Sequence, residues 1–220
     1  MVTSTKTVAS TETNGAPTEE RTSRIQRSET LYRGWGTLQR HTLGDGVSRE
    51  VYDRGHAAAC LATDPARGLV LLVRQVRVPI LIHEGDLPRE GGSGPAPGSS
   101  IEAPAGLIDS GESPEETMRR EMREETGFAV HNMRRIADLY ASPGSLSERM
   151  ILFTATYSAD DRVGEGGGLA EEGESTEVIE VPLDEAHRMV ADGRIRDLKT
   201  AYLLLHAERE RDEVGEEGTL

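Results

Sequence analysis

Cysteine is almost missing from this 220-residue chain: Cys60 stands alone, which excludes an internal disulfide. Its setting, three alanines before and Leu61-Ala62 after, marks a buried structural thiol rather than a nucleophile. Long apolar stretches are missing too. No run of roughly 18 apolar residues exists, the length that a membrane-spanning helix needs, so no membrane partner is expected. The amino terminus carries no apolar segment of the signal-peptide kind, and a cytoplasmic location is expected. Positive charge is scarce, with 25 Lys and Arg against 39 Asp and Glu and a formal net charge of −14. Such a chain cannot neutralise a phosphate backbone, so nucleic acid is excluded as a general partner. There are no internal repeats.

The length suits one domain of roughly 150–180 residues with tails. Residues 1–30 are rich in Thr, Ser, Glu and Gly; they bury too little to balance their ordering entropy and are expected to be disordered. Residues 31–55 pattern as short amino-terminal strands, with Gly44-Asp45-Gly46 as a hairpin turn. The main domain is expected over residues 56–207, followed by a charged tail over 208–220 that frays.

Within the main domain, strands are expected at residues 56–63 and 68–78. The second opens with Leu69-Val70-Leu71-Leu72-Val73, a continuous apolar run suited to a central buried strand. Arg74 and Arg77, separated by two residues, are expected to emerge together on one face of its end. Residues 84–100 read as a loop rich in Gly, Pro and Ser. A short strand at 100–103 leads into a helix, then strands at 129–140 and 148–158. A glycine-rich acidic loop spans 164–175. A last strand at 177–181 precedes helices at 183–192 and 197–209, the second with Leu203, Leu204 and Leu205 turned inward. Strands on both sides of one helix, with two helices at the end, imply an α/β fold with a mixed sheet between helices.

The stretch from 106 to 128 organises the rest. Ser113, Pro114 and Glu116 form a capping box with proline at the first helical position, and Gly127 is the left-handed stop. Met118, Glu121, Met122 and Glu125 recur at i, i+3, i+4 and i+7, the spacing of an inward stripe. Two carboxylates therefore lie among methionines, with Glu124 beside them. Buried like charges protonate or destabilise a fold unless a cation compensates them. Oxygen ligands one turn apart suit Mg²⁺ or Mn²⁺. The bland alternative is a solvated helix laced with Glu–Arg pairs.

The same stretch resembles the Nudix box, Gly-x5-Glu-x7-Arg-Glu-U-x-Glu-Glu-x-Gly-U, where U is a bulky apolar residue. Gly106, Glu112, Arg120, Glu121, Met122, Glu124, Glu125, Gly127 and Phe128 fill every specified position. The resemblance implies an α/β/α sandwich with a mixed β-sheet and hydrolysis of a nucleoside diphosphate linked to another group. Pro143, placed 15 residues after Phe128, resembles the ADP-ribose group of nucleotide-sugar pyrophosphatases, as do residues 102–106 and 168–174. Residues 49–55, 74–78, 140–144, 166–168 and 195–200 are more similar to bacterial GDP-mannose pyrophosphatases, and that likeness runs from about 49 to 205, interrupted by the 84–100 loop. The reading is a GDP-mannose-type enzyme, with an ADP-ribose pyrophosphatase as the alternative. A third reading is a Nudix-like domain that binds a nucleotide sugar without cleaving it. The intact set of box glutamates and the lack of a basic DNA-recognition helix speak against it.

Carried over by position, the resemblance implies that Glu121, Glu125, the Ala105 carbonyl and Glu174 bind metal, with Mg²⁺ the expected ion and Mn²⁺ the substitute. Glu172 becomes the base that activates water, with Glu124 as the competing base or a further ligand. Glu112 and Arg120 orient the helix carboxylates. Arg49, Arg74, Arg77, Pro143 and Lys199 are expected to contact the nucleotide sugar. The resemblance also implies a homodimer, with residues 31–55 at its interface.

Overall fold

The structure is a computed structural model that describes residues 24–85, 96–169 and 175–217. The chain divides into two compact units, one ending at Asp53 and one beginning at Arg54.

The first unit is a three-stranded antiparallel sheet of β1 (Ile25–Arg33), β2 (Thr37–Leu43) and β3 (Ser48–Asp53), in that order. The Gly44-Asp45-Gly46 turn closes the β2–β3 hairpin: Gly46 N–H donates to the Leu43 carbonyl at 2.9 Å, and Asp45 Oδ1 accepts from Val47 N–H at 3.0 Å. β1 begins at Ile25, inside the stretch expected to lack structure. All nine of its residues are exposed, so no apolar alternation announces it; it exists through backbone pairing with β2. Tyr32 and Trp35 are exposed, Trp35 by 81%.

The second unit is built on a mixed seven-stranded sheet. Its strands are β4 (Ala57–Asp64), β5 (Leu69–Val76), β6 (Ser99–Glu102), β7 (Ala105–Leu107), β8 (His131–Tyr140), β9 (Arg149–Thr156) and β10 (Glu177–Pro182). The path runs β10-β5-β4-β9-β8, with β6 on β5 and β7 on β4. Among the described residues, only the β4–β9 pairing is parallel.

β4 shows how the core divides. Ala58, Cys60 and Ala62 pack with Met118, Met122 and Phe128 on one face. Ala59 and Leu61 pack on the other with Ala186, Met189, Leu203 and Leu204. Alternate side chains point to opposite faces of a strand, so a strand buried on both faces reads as an apolar run. The sheet is thus covered on one face by the helix around Met118 and on the other by two carboxy-terminal helices. Burial pushes the Cys60 thiol up to about 12, which keeps it protonated and inert at neutral pH.

Four α-helices complete the described residues: α1 (Val78–Gly85), α2 (Pro114–Glu121), α3 (Leu183–Ala191) and α4 (Leu198–Glu217). α1 corrects the expected strand at 68–78, which ends at Val76. Pro79 cannot continue a ladder but is tolerated in a first helical turn, and Leu81 N–H closes that turn on the Arg77 carbonyl at 2.9 Å. α4 runs to Glu217, through the stretch expected to fray. On it, Leu203 and Leu204 are buried while Leu205 is exposed. Three successive residues spread over most of a 3.6-residue turn, so they cannot all face inward.

Candidate metal and diphosphate site

The helix at the centre forms by local chemistry. Ser113 Oγ accepts from Glu116 N–H at 3.3 Å, and Glu116 Oε2 accepts in return from Ser113 N–H at 2.8 Å. Pro114 stands first in the helix. After Glu121 the backbone widens into a single π-turn, Met122–Thr126, which ends at Gly127 in the left-handed region (φ 76°). Isolated π-turns inside helices recur at functional sites.

The inward stripe is as the spacing predicts: Met118, Glu121, Met122 and Glu125 are all buried, Glu125 to 2%. Glu124 is half-buried at the rim. The Glu121 carboxylate lies against the backbone of Gly106, where an added Cβ would overlap its Oε1. Glu125 Oε2 accepts from Ala105 N–H at 3.0 Å. Ala105, Gly106, Glu121 and Glu125 are therefore brought to one place.

Arg120 ties the remaining box residues together. Its Nη1 donates to Glu121 Oε1 at 2.8 Å and to Glu124 Oε2 at 2.9 Å. Its Nε and Nη2 meet Glu112 Oε1 and Oε2 at 3.2 and 3.1 Å. The surrounding carboxylates raise the Arg120 pKa, led by the Glu112 hydrogen bonds. Arg120 in turn, with the Thr117 hydroxyl at 2.9 Å, holds the Glu112 carboxyl below its ordinary value. Sequence reasoning missed Thr117, a fully buried hydroxyl whose partner lies five residues before it.

One guanidinium thus serves Glu112, Glu121 and Glu124 while Glu125 is buried nearby. That surplus of oxygen donors and negative charge fits a hard divalent cation. Among the described residues, no three His, Cys, Asp or Glu side chains are gathered as a metal cage. Glu172 and Glu174, which the resemblance to nucleotide-sugar pyrophosphatases adds as base and ligand, lie outside the described residues.

The expected substrate cations are arranged differently from one another. Arg74 and Arg77 do not share a partner: Arg74 Nη1 pairs with Glu177 Oε2 on β10 at 2.6 Å, while Arg77 forks onto Glu102 on β6 at 2.9 and 2.8 Å. They are three positions apart, an odd number, and an odd step on a pleated strand changes face; Arg77 also lies beyond the end of β5. Lys199 Nζ reaches the same Glu102 at 2.6 Å and Asp197 at 2.9 Å. Burial pushes the Glu102 carboxyl up, but the Arg77 bonds and the Lys199 charge outweigh this and hold it at about 2. Thr200 Oγ accepts from Ala103 N–H at 2.7 Å, fastening α4 to the strand that leads to Ala105. The sequence alone does not mark Glu102, Asp197 and Thr200 as site residues; two of the bonds they make span 97 positions, which no local pattern reports. Pro143 lies exposed in the β8–β9 connection. Arg49 lies on β3 in the first unit, where its Nη1 donates to Ser48 O at 3.0 Å.

Comparison with known proteins gives a match to the NUDIX domain over residues 53–202. The chain is 40% identical over 190 residues to a GDP-mannose pyrophosphatase of Yersinia enterocolitica, covering 83% of this chain and 93% of that protein. It is 45% identical over 159 residues to a GDP-mannose pyrophosphatase of Pectobacterium atrosepticum, covering 72% and 76%. Among solved structures, an ADP compounds hydrolase superposes with a TM-score of 0.66 at 22% identity, covering 87% of this chain and 95% of that one. That last likeness shows the α/β fold.

Proposed function

We propose, from the premise that this chain belongs to the Nudix family, that it hydrolyses the diphosphate linkage of a GDP-mannose-type nucleotide sugar. The products are a nucleoside monophosphate and a sugar 1-phosphate. The observation that carries this reading is the pair of buried glutamates, Glu121 and Glu125, one turn apart on the capped helix against Gly106 and Ala105. The two GDP-mannose pyrophosphatases similar to most of the chain support the substrate class.

Glu121, Glu125 and the Ala105 carbonyl would hold Mg²⁺, or Mn²⁺ in its place, with Glu174 as a further ligand. When bound, the cation neutralises non-bridging phosphate oxygens, acidifies water and eases departure of the leaving phosphate. Arg120 holds the Glu121 carboxylate through Oε1 and keeps Glu124 from drifting, while Glu112 fixes the guanidinium from its other edge. Glu172 would take the proton of the attacking water, with Glu124 as the competing base. Arg77, whose side chain is 40% exposed although it forks onto Glu102, is proposed to meet a phosphate. Arg74 and Pro143 are proposed as further substrate contacts. Lys199 is only 12% exposed and held by two carboxylates, so its contribution is to steady Glu102 and Arg77 beside the substrate. No covalent intermediate with the protein is needed.

The functional unit is proposed to be a cytoplasmic homodimer, supported by the exposed Leu31, Tyr32 and Trp35 of the first unit. Chromatography of products from GDP-mannose and ADP-ribose, side by side with Mg²⁺, tests the substrate. GMP forming faster than AMP is expected; AMP leading would move the chain to ADP-ribose hydrolysis by the same residues.

A further inference from the structure

The stop at Gly127 leaves the last carbonyls of the helix without intrahelical partners. Along a continuing helix, the carbonyls of Glu124 and Glu125 would meet the amides of Phe128 and Ala129. Those amides go elsewhere: Phe128 N–H donates to Thr126 Oγ1 at 3.2 Å, and Ala129 N–H to Asp161 O at 2.9 Å. The two carbonyls are served instead from one distant segment. Gly168 N–H donates to Glu124 O at 3.0 Å, and Gly167 N–H to Glu125 O at 2.8 Å. The Thr176 hydroxyl adds a second bond to Glu125 O at 3.3 Å, and Thr176 N–H closes onto Gly167 O at 3.0 Å.

The approach is backbone against backbone. Gly166 has φ +75°, and a Cβ there would stand 2.6 Å from Thr126 C and 2.8 Å from Glu125 O. Both the conformation and the space call for glycine. The carbonyls so held belong to the residues whose side chains face the cation site, and each bond limits rotation of its peptide and of the attached Cα–Cβ vector.

We propose that Gly166, Gly167, Gly168 and Thr176 form a clip that holds the π-turn in register and so sets the aim of the Glu124 and Glu125 carboxylates. The proposal rests on the metal-site reading given above. The four are positioning residues, acting through main-chain carbonyls rather than by touching cation or substrate. Their effect belongs on cation affinity and kcat, and not on sugar recognition.

The test is Mn²⁺ binding to the full-length protein without substrate, by electron paramagnetic resonance of free Mn²⁺, joined to steady-state kinetics. Thr176→Val and Gly166→Ala are expected to weaken Mn²⁺ binding by about 10-fold, the lower end for groups that orient ligands. kcat should fall with KM for the nucleotide sugar unchanged at saturating metal. Thr176→Ser should restore both, and thermal midpoints of the two Thr176 variants should stay within about 4 °C of the parent. Parental Mn²⁺ affinity in Thr176→Val, whatever Gly166→Ala does, would overturn the clip while leaving the metal site standing. So would a loss that Thr176→Ser fails to rescue. A parent that binds no Mn²⁺ and turns over no substrate would overturn the site reading and the clip together.

Discussion

At the scale of single residues, the tightest constraint is the contact between Gly106 and Glu121. A methyl group on Gly106 would occupy the position of Glu121 Oε1, so the glycine is required by the carboxylate that lies over it rather than by backbone conformation. Gly106→Ala is expected to leave secondary structure by circular dichroism unchanged and to lower kcat by about 10–100-fold, the range for displaced ligand-orienting groups. Parental kcat in that variant would mean that Glu121 need not sit where the structure puts it. Arg120 illustrates a second constraint. Its planar fork reaches three carboxylates at once, which an ammonium on a flexible stem cannot reproduce. Arg120→Lys is therefore expected to cost activity despite keeping the charge, checked by kcat at saturating Mg²⁺.

At the scale of elements, the strand leading to Ala105 depends on how the end of β5, β6 and α4 are fastened together. The Arg77–Glu102–Lys199 cluster links the end of β5, β6 and the first turn of α4. Because the Glu102 carboxyl is held at about 2, against an ordinary 4.5, its stabilisation is fully present above about pH 4.5. It is lost as pH falls toward about 2. At about 1.4 kcal/mol per unit, the contribution at neutral pH is on the order of 3 kcal/mol. Glu102→Gln is expected to lose stability of that order at pH 7, since two cations are left without their carboxylate. Its stability should also vary less between pH 4.5 and 2 than the parent's, measured by urea unfolding across that range. An unchanged acid limb would contradict the assignment.

Elements also differ in how plainly the sequence announces them. The capping box at Ser113, the stop at Gly127 and the Met–Glu stripe are short-range chemistry, and all three stand where their residues put them. The π register is not announced, because Met122-Arg123-Glu124-Glu125-Thr126 suits an α-turn equally well; the donors that meet its last carbonyls, Gly167, Gly168 and Thr176, lie 40 to 50 residues onward. β1 is hidden for the opposite reason: its side chains are polar and exposed, so only its backbone partner defines it. The switch from β5 to α1 was visible in Pro79 but was masked by the apolar run before it. Ion pairs such as Glu102–Lys199 depend on the folded chain and leave no periodic trace.

At the scale of the whole molecule, a chain with net charge −14 acting on an anionic diphosphate requires a local field opposed to the global one. The structure concentrates carboxylates on one face of one helix, which a divalent cation would convert from repulsive to attractive. Substrate affinity is accordingly expected to vanish when the cation is chelated, while the fold persists. The first unit exposes Tyr32 and Trp35, and sedimentation is expected to report about twice the 23.9 kDa chain mass. A Tyr32→Glu, Trp35→Glu double variant should shift it toward monomer, and a parent that sediments as monomer would remove the dimer from the account.

The central claim is that Glu121 at the end of α2, with Glu124 and Glu125 in the π-turn that follows, makes a cation-dependent pyrophosphohydrolase. The most direct measurement is GMP release from GDP-mannose at saturating Mg²⁺ by the parent and by Glu121→Gln, which has nearly the same shape without the charge. Turnover is expected in the parent and a loss of at least about 100-fold in the variant, with its thermal unfolding still cooperative. Equal rates in the two proteins would contradict that claim.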